Sequence, residues 1–102
     1  MSVVYHFEWA AAKARTNVTK HKVSFRLATT VFRDPLALTI YDAEHSTPQD
    51  ERWVTIGHAE HGQYLVVIHN VTQVSTTELR VRIISARSAD RDEIRDYEEA
   101  PR

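Results

Sequence analysis

An arginine-bearing strand near the end of the chain narrows what the whole sequence can fold into. From Leu79 to Ala86 the residues are mostly β-branched or aliphatic, yet Arg80 and Arg82 interrupt them and Arg87 follows. The central Ile83-Ile84 pair reads as burial on both faces, which places this strand inside a sheet rather than at its rim. Guanidiniums in or beside a buried strand are costly without anionic partners. Either the protein supplies carboxylates, or the cations are held for phosphate. Strict alternation puts Arg80 and Arg82 on one face and Val81, Ile83, Ser85 and Arg87 on the other. On that reading Arg80 and Arg82 reach a groove between the sheet and the first helix, and Arg87 pairs with an acid such as Glu51 or Asp90.

The rest of the chain supplies the partners for this strand. Residues 3–7 form a short apolar strand. Residues 10–21, with alanine at 10, 11, 12 and 14, read as a helix. Ser24 caps a second short helix that carries Phe25, Ala28 and Phe32 on one side, and Asp34-Pro35 stops it. Alternation over residues 36–41, then residues 52–58, 63–71 and 79–86, gives four consecutive strands. The turn at Glu60-His61-Gly62 makes the second and third of these antiparallel neighbours. Ser88 is placed to cap a final helix whose first turns hold Asp90, Asp92 and Glu93, where negative charge suits the dipole. The order β-α-α-β-β-β-β-α predicts an α+β fold: an antiparallel sheet of about four to five strands, packed by two N-terminal helices and one C-terminal helix.

The 102 residues are expected to form one domain. There is no cysteine, so disulfides and thiolate metal sites are excluded and a reducing cytoplasm is expected. The start lacks the pattern of a signal peptide, and no apolar run approaches the roughly 20 residues that span a bilayer. Net charge is −1, but its distribution is uneven: residues 10–33 hold six lysines and arginines and no acid. Such a basic third suits an anionic partner on one side of the molecule.

Several side chains are candidates for chemistry. Lys13, Asn17, Lys20 and His21 recur at helical spacing and share a face that suits phosphate. His45 sits in a polar loop and is the natural proton carrier near neutral pH, with Glu51 in reserve. Arginine's planar fork fits phosphate, which brings in Arg52, Arg80 and Arg82. Trp9 and Trp53 are either core or base-stacking residues. His58 and His61 flank a turn but lack a third ligand at a familiar spacing, so no metal site is expected.

Taken in order, Phe7-Glu8-Trp9, Lys13, Asn17, Lys20-His21, Val23-Ser24-Phe25, Asp34-Pro35-Leu36, His45-Ser46, Glu51-Arg52, Ile56-Gly57, Arg82-Ile83-Ile84-Ser85-Ala86-Arg87, Glu93 and Tyr97-Glu98 resemble the BrnT toxin family over nearly the whole chain. Ala10 stands where that family usually has Asp, and Lys22 where it usually has Gly. The resemblance implies a RelE-type ribonuclease toxin of a type II toxin–antitoxin system. It implies neutralisation by a BrnA-like ribbon-helix-helix antitoxin in a complex with two copies of each chain, which contacts operator DNA only through the antitoxin. Cleavage is then expected to need no metal or other cofactor. The catalytic residues would be His45, Arg52, Arg82 and Glu51, and the RNA-binding residues Lys13, Asn17, Lys20, His21, Arg80 and Tyr97. Two other readings are a co-repressor subunit with little nuclease activity, which the acidic last helix suits, and a metal-dependent hydrolase using His58, His61 and a distant acid.

Overall fold

A computed structural model describes residues 2–101. The elements are β1 (Val4–Glu8), α1 (Ala11–His21), α2 (Phe25–Thr29) with a 3-10 turn over Thr30–Arg33, β2 (Leu38–Tyr41), β3 (Trp53–His58), β4 (Tyr64–Gln73), β5 (Glu78–Ser88) and α3 (Arg91–Glu99). The five strands make one sheet in the order β1-β5-β4-β3-β2. The expected element order is present, but the sheet is mixed rather than antiparallel. Strands β2 to β5 form an antiparallel meander, whereas β1 lies parallel to β5, with Val4 opposite Glu78 and Glu8 opposite Arg82. Side-chain periodicity reports which face a residue occupies. It does not report which strand a distant segment joins, and β1 reaches β5 across more than 70 residues of chain. No helix of the described residues is long and apolar enough to cross a membrane.

Local chemistry explains the helix ends. Ser24 Oγ accepts from the Leu27 N–H at 3.0 Å and starts α2 as expected. The cap of α3 is Asp90 rather than Ser88, which is still the last residue of β5. Asp90 and Glu93 exchange side-chain to backbone bonds at 2.8 and 2.9 Å, a reciprocal capping box. Lys22 closes α1 in the left-handed region at φ 60°, the conformation that glycine adopts without cost. Its N–H still bonds Val18 O at 2.9 Å, so the lysine carries the turn despite its side chain.

Two apolar clusters lie on opposite faces of the sheet. Leu65, Val67, Val81, Ile83 and Ala86 pack under Val23, Phe25, Ala28 and Val31 from the α1–α2 region. On the other face Ile56 and Val66 pack with Tyr97 of α3, joined by Val54, Tyr64 and Ile68. Gly57 on β3 is required by close approach. A Cβ there would stand 3.0 Å from both Val31 Cγ1 and Asp34 Oδ2, and 3.2 Å from Ala37 Cβ. Asp34 holds the sheet margin beyond β2: its Oδ2 accepts from the His58 N–H at 2.9 Å and from the Tyr97 hydroxyl at 2.6 Å. Burial alone would raise its pKa, but these bonds win and hold it below the ordinary carboxylate value.

The strict alternation expected of β5 fails at one place. Pairing with β4 shifts between Ile68 and His69, so Ile68 faces Ser85 while His69 faces Ile83, and Ile84 is left without a partner. This bulge explains how Ile83 and Ala86, three residues apart, are both buried on the helix face. It also moves Ser85 and Arg87 onto the face of Arg80 and Arg82. Arg87 there pairs with Glu93 of α3, through two bonds of 2.7 Å, instead of Glu51 or Asp90.

Candidate functional site

The α3 helix covers only part of its face of the sheet. The uncovered part centres on the β5 bulge, between α1 on one side and the loop 42–52 on the other. Three open depressions, of about 440, 280 and 240 Å³, meet at Ile84 and form one groove. Lys13, Lys20 and His21 of α1 line the first. Arg82, Asn70, Asp50, Arg52 and again Lys13 line the second. Asp42, His45, Arg52 and Ser85 line the third.

Asn17 explains why α1 sits here. Strand β1 ends at Glu8, opposite Arg82, so β5 beyond that point has a bare edge. The Asn17 amide serves as a strand substitute. Its Nδ2 donates to Ala86 O at 2.7 Å and to Val23 O at 2.8 Å, and its Oδ1 accepts from the Ala86 N–H at 3.1 Å. The residue is 5% exposed. Both donors of the amide and one side of its oxygen are therefore committed to the main chain, and the Ser85 hydroxyl lies 3.5 Å from the same oxygen. Asn17 fastens the helix that presents Lys13, Lys20 and His21, and only a small part of it reaches the floor of the first depression.

Within the groove, His45 is oriented by a group three residues earlier. Asp42 Oδ2 lies 2.9 Å from His45 Nδ1, and Asp42 Oδ1 accepts from the His45 N–H at 3.3 Å. A carboxylate partner places a proton on Nδ1, so in the neutral ring Nε2 is the acceptor. The Ser46 hydroxyl pins the loop by donating to Asp42 O at 2.6 Å and accepting from the Arg52 N–H at 2.8 Å. Arg52 is in turn held by Asp50, with contacts of 3.1 and 3.3 Å to Oδ2. Asp50 Oδ1 accepts from Asn70 Nδ2 at 2.7 Å. The remaining Asn70 oxygen is shielded from solvent and accepts no bond among the described residues, a state that costs about 1–3 kcal/mol.

Arg82 Nη1 reaches Glu8 Oε2 at 2.8 Å, and Arg80 Nε lies 3.3 Å from the other oxygen of the same carboxylate. The two arginines and Glu8 are each about half exposed, and such pairs are worth roughly 0–1 kcal/mol. A polyanion bearing several phosphates can compete for them. Lys13, Lys20 and His21 form no ion pair among the described residues. The groove thus sets four permanent cations (Lys13, Lys20, Arg52 and Arg82) against the three carboxylates of Glu8, Asp42 and Asp50.

Other candidate residues lie elsewhere. Arg80 is outside the groove lining. Glu51 lines a separate trough with Thr39, Trp53 and Val71 on the helix face of the sheet. Tyr97 of α3 is 4% exposed, packed against Ile56 and Val66 of the sheet. Trp9 makes an edge contact with Phe25, and Trp53 one with Tyr41. The His58 ring packs on Tyr64, with centroids 4.2 Å apart. Among the described residues no three His, Asp or Glu side chains come together in a way that could hold a metal ion. Glu8, Asp42, Asp50, Asn70 and Ser85 are groove or near-groove residues that the sequence reading did not single out. The Asp42-x-x-His45 spacing was a usable local signal, whereas Asn70 is brought in by strand pairing alone.

Comparison with known proteins gives an independent line. A family model described as "Ribonuclease toxin, BrnT, of type II toxin-antitoxin system" matches residues 9–93. The crystal structure of the Brucella abortus ribonuclease toxin BrnT is similar, with a TM-score of 0.56 and 23% identity, over 87% of this chain and 100% of that one. No curated protein sequence gives a match.

Proposed function

The chain belongs to the BrnT family of ribonuclease toxins of type II toxin–antitoxin systems, and on that premise we propose that the groove is where it cleaves RNA. Membership supports a toxin role and an antitoxin as partner. The carrying observation is that cations from α1, the loop 42–52 and β5 border one continuous groove together with an oriented histidine.

The chemistry follows from these groups. The ribose 2′-oxygen attacks the adjacent phosphorus as His45 Nε2 takes its proton. The P–O5′ bond breaks, leaving a 2′,3′-cyclic phosphate, and the departing 5′-oxygen takes a proton from solvent in the open groove. Asp42 stabilises the imidazolium that forms. Arg52 and Arg82 stabilise the charge gathering on the phosphoryl oxygens, each contributing roughly 3–4 kcal/mol. Lys13, Lys20 and His21 hold the backbone on either side of the cut. Glu51, Asn17, Arg80 and Tyr97 have no part in this reading. No metal enters it, and its kinship is with RelE-type ribonucleases acting in the cytoplasm. The antitoxin is a BrnA-like ribbon-helix-helix protein, assembled two to two with the toxin, and operator DNA is contacted through it.

Purified, antitoxin-free protein should cut RNA in EDTA and leave cyclic phosphate ends. His45→Ala and Arg82→Ala should each slow cleavage about 100-fold or more, permit growth on expression, and retain the parental circular dichroism. If both variants stay as toxic as the parent, these residue roles are wrong. Arg52 and Arg82 already bear carboxylate partners, which favours one rival, a co-repressor subunit with little nuclease activity. Intact RNA and unaffected growth with the parent protein would remove the nuclease reading and leave that rival.

A further inference from the structure

Arg82 has a polar neighbour on each side of β5. On one side is Glu8, its register partner in the parallel pair, which holds Nη1 at 2.8 Å. On the other is Asn70, its register partner on β4. Side chains directly opposite on one face of a sheet stand within contact distance of one another. Both Arg82 and Asn70 border the same depression of the groove. The Asn70 amide cannot be reversed without setting its oxygen against the Asp50 carboxylate, so the bond from Nδ2 to Asp50 fixes its orientation. What remains is an Oδ1 acceptor, shielded from solvent and taking no bond, beside an arginine that carries five N–H donors.

We propose that Asn70 is a positioning residue that receives Arg82 in the working state. RNA phosphate draws the guanidinium off Glu8. One N–H then donates to Asn70 Oδ1, and the others grip the phosphoryl oxygens in a fixed orientation. Glu8 is the resting partner and competes with substrate; Asn70 is the working partner and sets the geometry. The inference rests on the reading of the groove as the RNA-cleaving site. It accounts for two features at once: a clamp arginine neutralised in the free protein, and an unsatisfied acceptor across the strand from it.

The competing account is that Asn70 only steadies Asp50 and hence Arg52. Kinetic cycles on a short RNA separate the two. Glu8→Gln should lower KM several-fold with kcat retained. Asn70→Ala should lower kcat about tenfold while KM changes less than about twofold. Asn70→Ala added to Arg82→Ala should cause no further loss. If the Asn70 and Arg82 effects multiply, or if Glu8→Gln raises KM, the proposal is overturned, whatever a cycle with Arg52 gives. A measurement on the unaltered protein covers the case in which Asn70→Ala fails to fold. NMR scalar coupling across the hydrogen bond from Arg82 should shift from the Glu8 carboxyl to the Asn70 side-chain carbonyl when an RNA 2′-O-methylated at the cut site is added. A coupling to Glu8 that persists in the RNA complex overturns the switch. Inorganic phosphate in the same experiment distinguishes the failures: phosphate-driven transfer alongside uncut RNA would sink the nuclease reading and leave the switch standing.

Discussion

Replacing Asn17 with alanine tests the arrangement that brings α1 to the groove. The substitution removes three main-chain hydrogen bonds, to Val23 O, Ala86 O and the Ala86 N–H, at lengths of 2.8, 2.7 and 3.1 Å, and a long one of 3.5 Å from the Ser85 hydroxyl. Each main-chain bond is worth about 1 kcal/mol net, and stranded buried partners push the cost higher. The expected loss is therefore about 3 kcal/mol, a large share of the roughly 5–15 kcal/mol that holds a domain together. Urea denaturation followed by circular dichroism should show the midpoint falling by roughly 2–3 M at an unchanged slope. The thermal midpoint should drop by roughly 12–24 °C. Asn17→Asp keeps an acceptor for the Ala86 N–H but sets a carboxylate against two carbonyls, so it should cost at least as much at pH 7. A loss under about 1 kcal/mol for Asn17→Ala would refute the reasoning, because water would then be satisfying the strand edge. Unchanged stability with weakened RNA binding would return Asn17 to the groove surface as an RNA ligand.

Two further predictions concern the sheet. His69 is 1% exposed, bonded to the Thr55 hydroxyl at 2.7 Å, with the Phe32 ring edge-on against it. Burial lowers its pKa from 6.5 to about 4, against a smaller opposing effect from the Asn70 carbonyl. The unfolded chain then binds the extra proton between these values, so this contribution is full above pH 6.5 and fades as pH falls toward 4, by about 3 kcal/mol in all. Urea midpoints from pH 7.5 to 4.5 should fall more steeply for the parent than for His69→Gln; equal slopes would show that His69 does not carry the effect. Gly57→Ala places a methyl against Val31, Asp34 and Ala37 and should destabilise by about 1–3 kcal/mol in the same assay, whereas a neutral result would mean that the α2 region can yield.

Some of this protein is written in the order of its residues. Local patterns predict element type and sequence because their causes are local. Ser24 caps α2 through a bond three residues away, Asp34-Pro35 ends that helical region, and alternation marks β2 to β5. The basic face of α1 is likewise a matter of helical spacing, so Lys13, Lys20 and His21 come out together. The family resemblance rests on the same linear order, which is why it agrees with the family model over residues 9–93.

Tertiary structure decided the rest, wherever the physics joins distant segments. Which strand β1 would join, and in which direction, depends on packing across the whole sheet rather than on its own five residues. The bulge at Ile84 is an offset between two strands, so neither strand shows it alone, yet it reverses the face of Ser85 and Arg87. Asn17 shares a surface stripe by spacing, and Tyr97 suits either the sheet or RNA; both are buried, because a bare strand edge takes the first and Asp34 takes the hydroxyl of the second. Glu51 and Arg52 are neighbours just ahead of β3 and border separate depressions on its two faces, because successive side chains of an extended chain point opposite ways.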